Sequence, residues 1–539
     1  MLLEDRILKK WLLPFILSVL IAVDSMAQCI PVYKDSSMSV ERRVTDLLGR
    51  MTLREKIAQL SHLHGYQLYN GQEVDYQKLR DAAGDISYGC IEGFNLTGEN
   101  VRKAFHAIQK YMVEETRLGI PVFTVTESLH GSVHDGSTIF PQSVAVGSTF
   151  NLDLAYQMTK AIATELRSQG VIQTLSPGLD VVRDLRWGRV EESFGEDPWL
   201  VGQMGIAQVK GYIDGGISPM LKPFGPGGAP LGGLNLASVE SGERDIRNIH
   251  IKPYEMAVRN TEVKAVMTSY NSWNGIPNSA SSYLLTNILR NEWGFKGYVV
   301  SDSEAVEFLH TKHRITPTEE EMAAQVVNAG LNIRTNFTPP QDFILPLRRA
   351  IDEGKVSLHT LDQRVSEILR VKFMMGLFDN PYPGDDRHPE TVVHNDTHKA
   401  VSMKAALESV VLLKNENQML PLSKNFKKIA VIGPNAEEVK ELTCRYGPAN
   451  ASIKTVYQGI KEYLPNSEVR YAKGCDIIDK YFPESELYNV PLDTQEQVMI
   501  QEAVELAKAS DVAILVLGGN EKTVREEFSR TNLDLCGRQ

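Results

Sequence analysis

Asp302 closes the run Gly297-Tyr298-Val299-Val300-Ser301-Asp302-Ser303. Tyr298-Val299-Val300 is short, apolar and β-branched, the pattern of a strand buried on both faces. A carboxylate at the C-terminal end of such a strand stands where parallel α/β folds place their chemistry. The competing local reading is a helix N-cap. Ser301, Asp302 and Ser303 all cap well, and Glu304-Ala305-Val306-Glu307 would open a helix behind them. Polar side chains recur at the same relative position elsewhere in the chain. Glu127 follows a run ending at Thr126, and Ser176 and Asp180 follow one ending at Leu175. Lys222 follows Leu221, and Tyr270 follows Ser269. Strands that close on one another would gather all these groups on a single rim.

The elements that must position them alternate over more than half of the chain. Strand-like runs are expected at Ile86 to Ile91, Pro121 to Thr126, Val171 to Leu175, Ser218 to Leu221, Lys264 to Ser269, Tyr298 to Ser301 and Gly330 to Ile333. Stretches long enough for crossover helices, such as Asn151 to Gly170 and Ser281 to Trp293, separate them. Repeated β-α units over residues 38–378 predict an α/β fold and, at this length, a (β/α)8 TIM-like barrel. A turn-rich, Pro-rich linker is expected over 379–399. A second, open α/β domain is expected over 400–539, with strands at Lys428 to Gly433, Glu468 to Tyr471 and Val512 to Gly518. Ile432-Gly433-Pro434 lacks the GxGxxG spacing of a nucleotide site.

Composition excludes several classes of function. The chain of 539 residues is 42% hydrophobic and 23% charged, ordinary for a globular protein. A formal net charge of -11, with no basic stripe, argues against nucleic acid as a partner. The five cysteines show neither CxxC nor Cys/His ligand spacing, so no metal and no cofactor is expected. At the N-terminus, Arg6 to Lys10 is basic, Trp11 to Val23 is almost continuously apolar, and Ser25-Met26-Ala27 is small. This pattern predicts a signal peptide over 1–27, cleaved after Ala27, an exported mature chain in the periplasm or outside the cell, and no membrane span after cleavage.

One stretch is unlike a helix or a strand. Ser176-Pro177-Gly178-Leu179-Asp180-Val181-Val182-Arg183-Asp184-Leu185-Arg186-Trp187-Gly188-Arg189, continuing to Phe194-Gly195-Glu196-Asp197-Pro198, interleaves charges of both signs with Trp and Gly. It reads as an ordered loop held by ion pairs. This block resembles the SPxxDVxRDPRWGRxxEsFGEDP block of glycoside hydrolase family 3, departing inside it only at Leu185. Glu127-Ser128-Leu129-His130-Gly131, Ala229-Pro230-Leu231-Gly232-Gly233-Leu234-Asn235, Met267-Thr268-Ser269-Tyr270-Asn271 and Gly297 to Asp302 resemble further blocks of that family.

The resemblance implies a (β/α)8 barrel followed by an α/β sandwich, with the site between them. It implies an exo-acting, retaining β-glycosidase acting on an oligosaccharide or an aryl or alkyl glycoside, in plant polysaccharide breakdown. Two carboxylates about 5–5.5 Å apart carry that reaction, one ionised and one protonated. Asp302 falls on the family nucleophile. Glu526, in Glu526-Glu527-Phe528-Ser529-Arg530, falls on the acid/base, with Glu527 as the neighbour it could be confused with. Glu127 would accept from sugar hydroxyls, Arg189 and Lys222 would donate to them, and Tyr270 would steady the nucleophile. Asp180 is expected to organise the arginine-bearing loop rather than touch sugar.

Two departures stand out. Pro223 and Gly227 occupy positions where the family usually has histidines, and the family's sandwich continues past the position of Gln539, so a truncated second domain is expected. Glu127 and Ser303 favour a β-xylosidase. The alternatives are a β-glucosidase of the same family and a catalytically impaired sugar-binding relative. The sequence leaves the oligomeric state open.

Overall fold

The computed structural model describes residues 30–93, 96–382, 388–443, 445–448 and 453–539. The expected signal peptide lies outside the described residues. No helix among them is long and apolar enough to cross a membrane.

Seven strands form one parallel sheet in chain order: β1 (His62–His64), β2 (Cys90–Glu92), β3 (Phe123–Thr126), β4 (Gln173–Thr174), β5 (Ser218–Phe224), β6 (Ala265–Thr268) and β7 (Tyr298–Ser301). Parallel bridges Val300↔Ile333 and Ser61↔Arg334 then join its two edges through one short stave and close the barrel. The interior is packed: the ring of Tyr298 stacks on that of Phe123 at 5.2 Å, and both are buried. The barrel is therefore a solid scaffold whose chemistry must lie at the strand ends.

Two strands differ from expectation. β1 reads His-Leu-His, which carries no apolar run to betray it. The strand expected at Gly330 to Ile333 shrinks to isolated bridges, because a side chain takes over part of its ladder. Val299 N donates to Asn332 Oδ1 at 2.8 Å, in place of a backbone carbonyl. β5 continues to Phe224, past the expected end at Leu221, and its register against β6 shifts between Leu221 and Phe224. Pro223 lies at that shift. It has no N–H to give the ladder, which accounts for the irregularity.

The second domain holds a three-stranded parallel sheet, β8 (Lys428–Ile432), β9 (Glu468–Ala472) and β10 (Val512–Leu515), ordered β9-β8-β10. Alternate residues of β8 feed both faces. Ile429 and Val431 pack with Tyr457 of the helix Val456–Tyr463, and Ala430 and Ile432 pack with Ala503 of the helix Thr494–Lys508. The helix Asp396–Glu408 begins inside the span expected as linker, capped by Asn395, whose Oδ1 accepts from His398 N at 2.9 Å. It is pinned to the barrel: His398 Nδ1 lies 2.7 Å from Oε1 of the buried Glu165, on the helix Leu152–Ser168.

The second domain docks its loop 525–530 on the barrel through the ion-pair loop. Arg530 N donates to Arg186 O at 2.8 Å. A Cβ on Gly188 would fall 1.9 Å from Arg525 O and 2.5 Å from Phe528 O. Only glycine lets the two backbones approach so closely, and that contact sets Glu526 over the rim.

Candidate active site

Asp302 and Glu526 line the same cavity of about 220 Å³ at the rim, one from the end of β7 and the other from the second domain. Asp302 is not an N-cap: the first helix behind it is the short Phe308–Thr311. Its Oδ1 accepts from Tyr270 Oη at 2.9 Å and from Ser303 N at 2.8 Å. Both bonds fix the carboxyl and favour its ionised form. Burial works the other way, helped by the Glu526 carboxylate, and lifts Asp302 to about 6.

Glu526 has a different environment. Its Oε1 accepts from Arg189 Nη1 at 3.0 Å, and its Oε2 from Tyr446 Oη at 2.7 Å. Arg445 Nη1 lies 3.1 Å from Oε2. Burial opposes ionisation, but Arg189, Arg445 and the Tyr446 hydroxyl outweigh it and hold the carboxyl below its ordinary range. Glu527 turns outward, half exposed, to Arg445 and Arg525. The two neighbouring glutamates are thus distinguished by direction: one faces the cavity, the other a surface ion-pair cluster.

Glu127 and Tyr270 also line the cavity. Arg189 and Lys222 do not: both are buried behind carboxylates that do. Lys222 Nζ donates to Glu127 Oε1 at 2.6 Å and lies 4.7 Å from the centre of the Tyr446 ring. Arg189 forks onto Glu192 at 2.7 and 2.8 Å and reaches Glu526 with its remaining nitrogen. These two cations hold the carboxylates of Glu127, Glu192 and Glu526. Glu127 Oε2 is buried and, among the described residues, has no hydrogen-bond partner. It is a free acceptor of the cavity, and burial lifts its carboxyl to about 7 despite Lys222.

Glu92, His64, Tyr66, Phe337, Arg445 and Tyr446 also line the cavity and were not foreseen. Glu92 had a visible signal. It is the last residue of β2 as Glu127 is the first beyond β3, and Gly93 N donates to Val125 O of that neighbouring strand at 3.2 Å. Burial, then the nearby Glu127 and Asp302, push Glu92 up to about 8. His64 sits between Tyr66 and Phe337, with ring centres 4.7 and 5.0 Å away, and forms an aromatic flank.

Asp180 lies outside the cavity lining and meets the arginine-bearing loop through its backbone, its carbonyl accepting from Ser193 Oγ at 2.6 Å, while Glu192 holds Arg189 itself. Asp180 is buried, and its Oδ1 has no hydrogen-bond partner among the described residues. A Cβ on Gly227 would lie 2.3 Å from that oxygen. A side chain at 227 would therefore require the Asp180 carboxyl to move. Burial raises the Asp180 carboxyl to about 8. The folded state then binds a proton that the unfolded chain has lost, from about pH 4 to about pH 8, and stability falls as pH rises through that window. Asp180→Asn removes this cost. Its melting temperature should exceed that of the parent by at least about 2 °C at pH 8 and match it near pH 4, as read by calorimetry.

A closed parallel barrel followed by a second α/β domain defines a two-domain α/β protein, with Asp302 of the first and Glu526 of the second lining one cavity. The family model for the glycosyl hydrolase family 3 N terminal domain matches residues 52–371, and that for the C-terminal domain matches 410–539. The chain belongs to glycoside hydrolase family 3. It is 34% identical over 514 residues to the periplasmic beta-glucosidase of Salmonella typhimurium, covering 91% of this chain and 64% of the relative. It is 34% identical over 450 residues to a beta-xylosidase of Formosa agariphila, covering 78% of this chain and 60% of the relative. The chain thus spans less than two thirds of the length of these curated relatives. Among solved structures, a β-glucosidase from Erythrobacter marinus superposes with a TM-score of 0.82 at 32% identity, covering 92% of this chain and 67% of that one. The beta-glucosidase of Listeria innocua in complex with isofagomine gives 0.78 at 28%, covering 93% and 66%.

Proposed function

We propose that the chain is an exo-acting retaining β-glycosidase that removes one terminal β-linked sugar, with xylose the preferred glycone. The observation that carries this reading is the pair Asp302 and Glu526, brought from two domains to one cavity with room for about one sugar ring. Asp302 attacks the anomeric carbon while the bond to the leaving oxygen breaks and Glu526 gives that oxygen its proton. Glu526 then takes a proton from water, the water oxygen replaces Asp302 on the anomeric carbon, and the carboxylate is freed. Tyr270 steadies Asp302 by its hydrogen bond. Glu127 Oε2 and Glu92 are the free groups for sugar hydroxyls, and Arg189 and Lys222 act through the carboxylates they hold.

The preference for xylose rests on Glu127 and on Ser303 beside the nucleophile. The relatives carry both names, β-xylosidase and β-glucosidase. Hydrolysis of 4-nitrophenyl β-xyloside should exceed that of the β-glucoside in kcat/KM; faster glucoside cleavage would overturn the preference. The second reading, an impaired sugar-binding relative, is favoured by Pro223 and Gly227, and turnover of either substrate removes it. An exported location is part of the proposal, supported by the basic-then-apolar N-terminus and by the periplasmic name of the Salmonella relative.

The pair also sets a pH dependence. In the empty site Asp302 holds a proton more readily than Glu526, the reverse of the working state. Above about pH 6 the pair loses its last proton and no acid remains. kcat/KM should therefore peak on the acid side of about pH 6 and fall about tenfold per unit at neutral and alkaline pH. A plateau extending to pH 8 would contradict this assignment.

A further inference from the structure

Away from the cavity, one buried carboxylate joins three segments of the chain. Glu165 projects from the helix Leu152–Ser168 and is 1% exposed. Its Oε2 accepts from Thr138 N at 2.9 Å, and its Oε1 from Thr138 Oγ1 at 2.6 Å. Oε1 also accepts from His394 N at 2.9 Å and meets His398 Nδ1 at 2.7 Å. Thr138 lies in the loop that follows β3 and Glu127. His394 and His398 flank the start of the helix Asp396–Glu408, through which the chain enters the second domain. His394 has φ 53°, a left-handed conformation unfavourable for a residue with a Cβ, and in it the backbone N–H reaches Glu165. Ser402 stands four residues after His398, on the same helix face. Its Oγ donates to Ile139 O of the same loop at 2.6 Å.

The same loop carries another contact between the domains. It folds back on itself, Phe140 N donating to His130 O at 2.8 Å. A Cβ on Gly131 would lie 3.3 Å from Pro448, and one on Gly447 2.9 Å from the His130 ring. Gly447 and Pro448 directly follow Arg445 and Tyr446, whose side chains meet Glu526. Glu165 therefore stands behind the entry helix and behind the loop against which the partners of Glu526 rest. The loop 525–530 is a separate attachment, at Arg186 and Gly188. A domain held at separated points keeps its orientation; held at one, it can rock about it. The tie from Asn151 Nδ2 to Glu408 Oε2 is exposed, where water competes for both partners. The bonds to Glu165 are charge-assisted and shielded from water. Rocking would move Glu526 against Asp302, because each domain carries one of them, and a displacement of about 1 Å costs up to about 10²-fold in rate.

We propose that Glu165 and His398 are positioning residues of the reaction: through the entry helix and the loop 131–140 they fix the second domain on the barrel and so hold Glu526 in place over Asp302. The inference rests on the reading of Asp302 and Glu526 as the catalytic pair. The two residues act on delivery of the proton to the leaving oxygen and not on attack at the anomeric carbon, because Asp302, Tyr270 and Ser303 all belong to the barrel.

The test separates that role from packing. His398→Phe fills the volume without a donor, and His398→Asn sets an amide N–H near the place of Nδ1. Both variants of the full chain are assayed with methyl β-xyloside, whose leaving oxygen needs a proton, and with dinitrophenyl β-xyloside, whose oxygen departs without one. Amide hydrogen exchange is read peptide by peptide. His398→Phe should lose at least about tenfold in kcat/KM for the methyl glycoside and less than about threefold for the dinitrophenyl one. Its amides should exchange faster over 394–408 and 525–530 and at the parent rate in β3 and β7. His398→Asn should stay within about threefold of the parent on both substrates. An equal loss on both substrates, an unchanged methyl rate, or an Asn variant as impaired as the Phe one would overturn the proposal. If His398→Phe does not fold, Ser402→Ala decides in its place: a methyl-selective loss of about threefold supports the proposal, and a loss without selectivity or no loss overturns it. If the parent turns over neither glycoside, the glycosidase reading fails. The exchange pattern then decides the docking role alone: faster exchange over 525–530 in the variant supports it, and unchanged exchange overturns it.

Discussion

Asp302→Ala is expected to lower kcat for an aryl β-glycoside by at least about 10⁴-fold, with KM changed far less. The argument is geometric. Asp302 lines the cavity, and one of its oxygens is fixed by Tyr270 and by the Ser303 amide. Those two bonds fall on Oδ1, which leaves Oδ2 as the oxygen free to attack. Removing the carboxylate removes the bond-forming atom itself, not a stabilising contact. A small anion should restore part of the turnover in the alanine variant and give the glycosyl product of opposite anomeric configuration. A merely structural aspartate would show no such rescue, so the outcome separates a chemical role from a packing one.

Glu526→Gln should cost about 10²–10⁴-fold, and the size should depend on the leaving group. For an alkyl glycoside the departing oxygen needs a proton, and the loss is expected at the upper end. For a dinitrophenyl glycoside it departs without one, and formation of the glycosyl-enzyme should be nearly unaffected. Glutamine keeps the hydrogen-bond capacity toward Arg189 Nη1 through its carbonyl, so folding is expected to survive. A loss equal for both leaving groups would mean that Glu526 organises the arginines rather than moving a proton. Glu527→Gln, outside the cavity and paired at the surface, should lose less than about threefold.

The carboxylate at the end of β7 was legible because a β-branched run leading into it has a definite end in a parallel barrel. The same logic revealed Glu127, Lys222 and Tyr270, and it applied equally to Glu92, which was passed over at the end of its own strand. The eighth stave was less legible. Asn332 lends its side chain to the ladder, and nothing in the string of residues shows that substitution. The ion pairs of Arg189 and Lys222 were not legible for a related reason. Sequence places cations near a rim, but only the fold shows that Glu192, Glu526 and Glu127 claim them first. Arg445 and Tyr446 come from a second-domain segment without periodicity, which comes close to the barrel at Gly131 and His130: a Cβ on Gly447 would lie 2.9 Å from the His130 ring, and one on Gly131 3.3 Å from Pro448. Gly227, a departure from the family pattern, lies where a Cβ would meet the buried Asp180 carboxyl at 2.3 Å.

The reading of the pair stands or falls on where the sugar is held during turnover. The most direct measurement incubates the chain with a 2-deoxy-2-fluoro β-xyloside bearing an activated leaving group, then digests it and locates the label by mass spectrometry. One fluoroglycosyl unit on Asp302, within the peptide containing Gly297 to Lys312, is the expected result. Label on Glu526, or undiminished turnover with no covalent label, would contradict the assignment of Asp302 as the nucleophile.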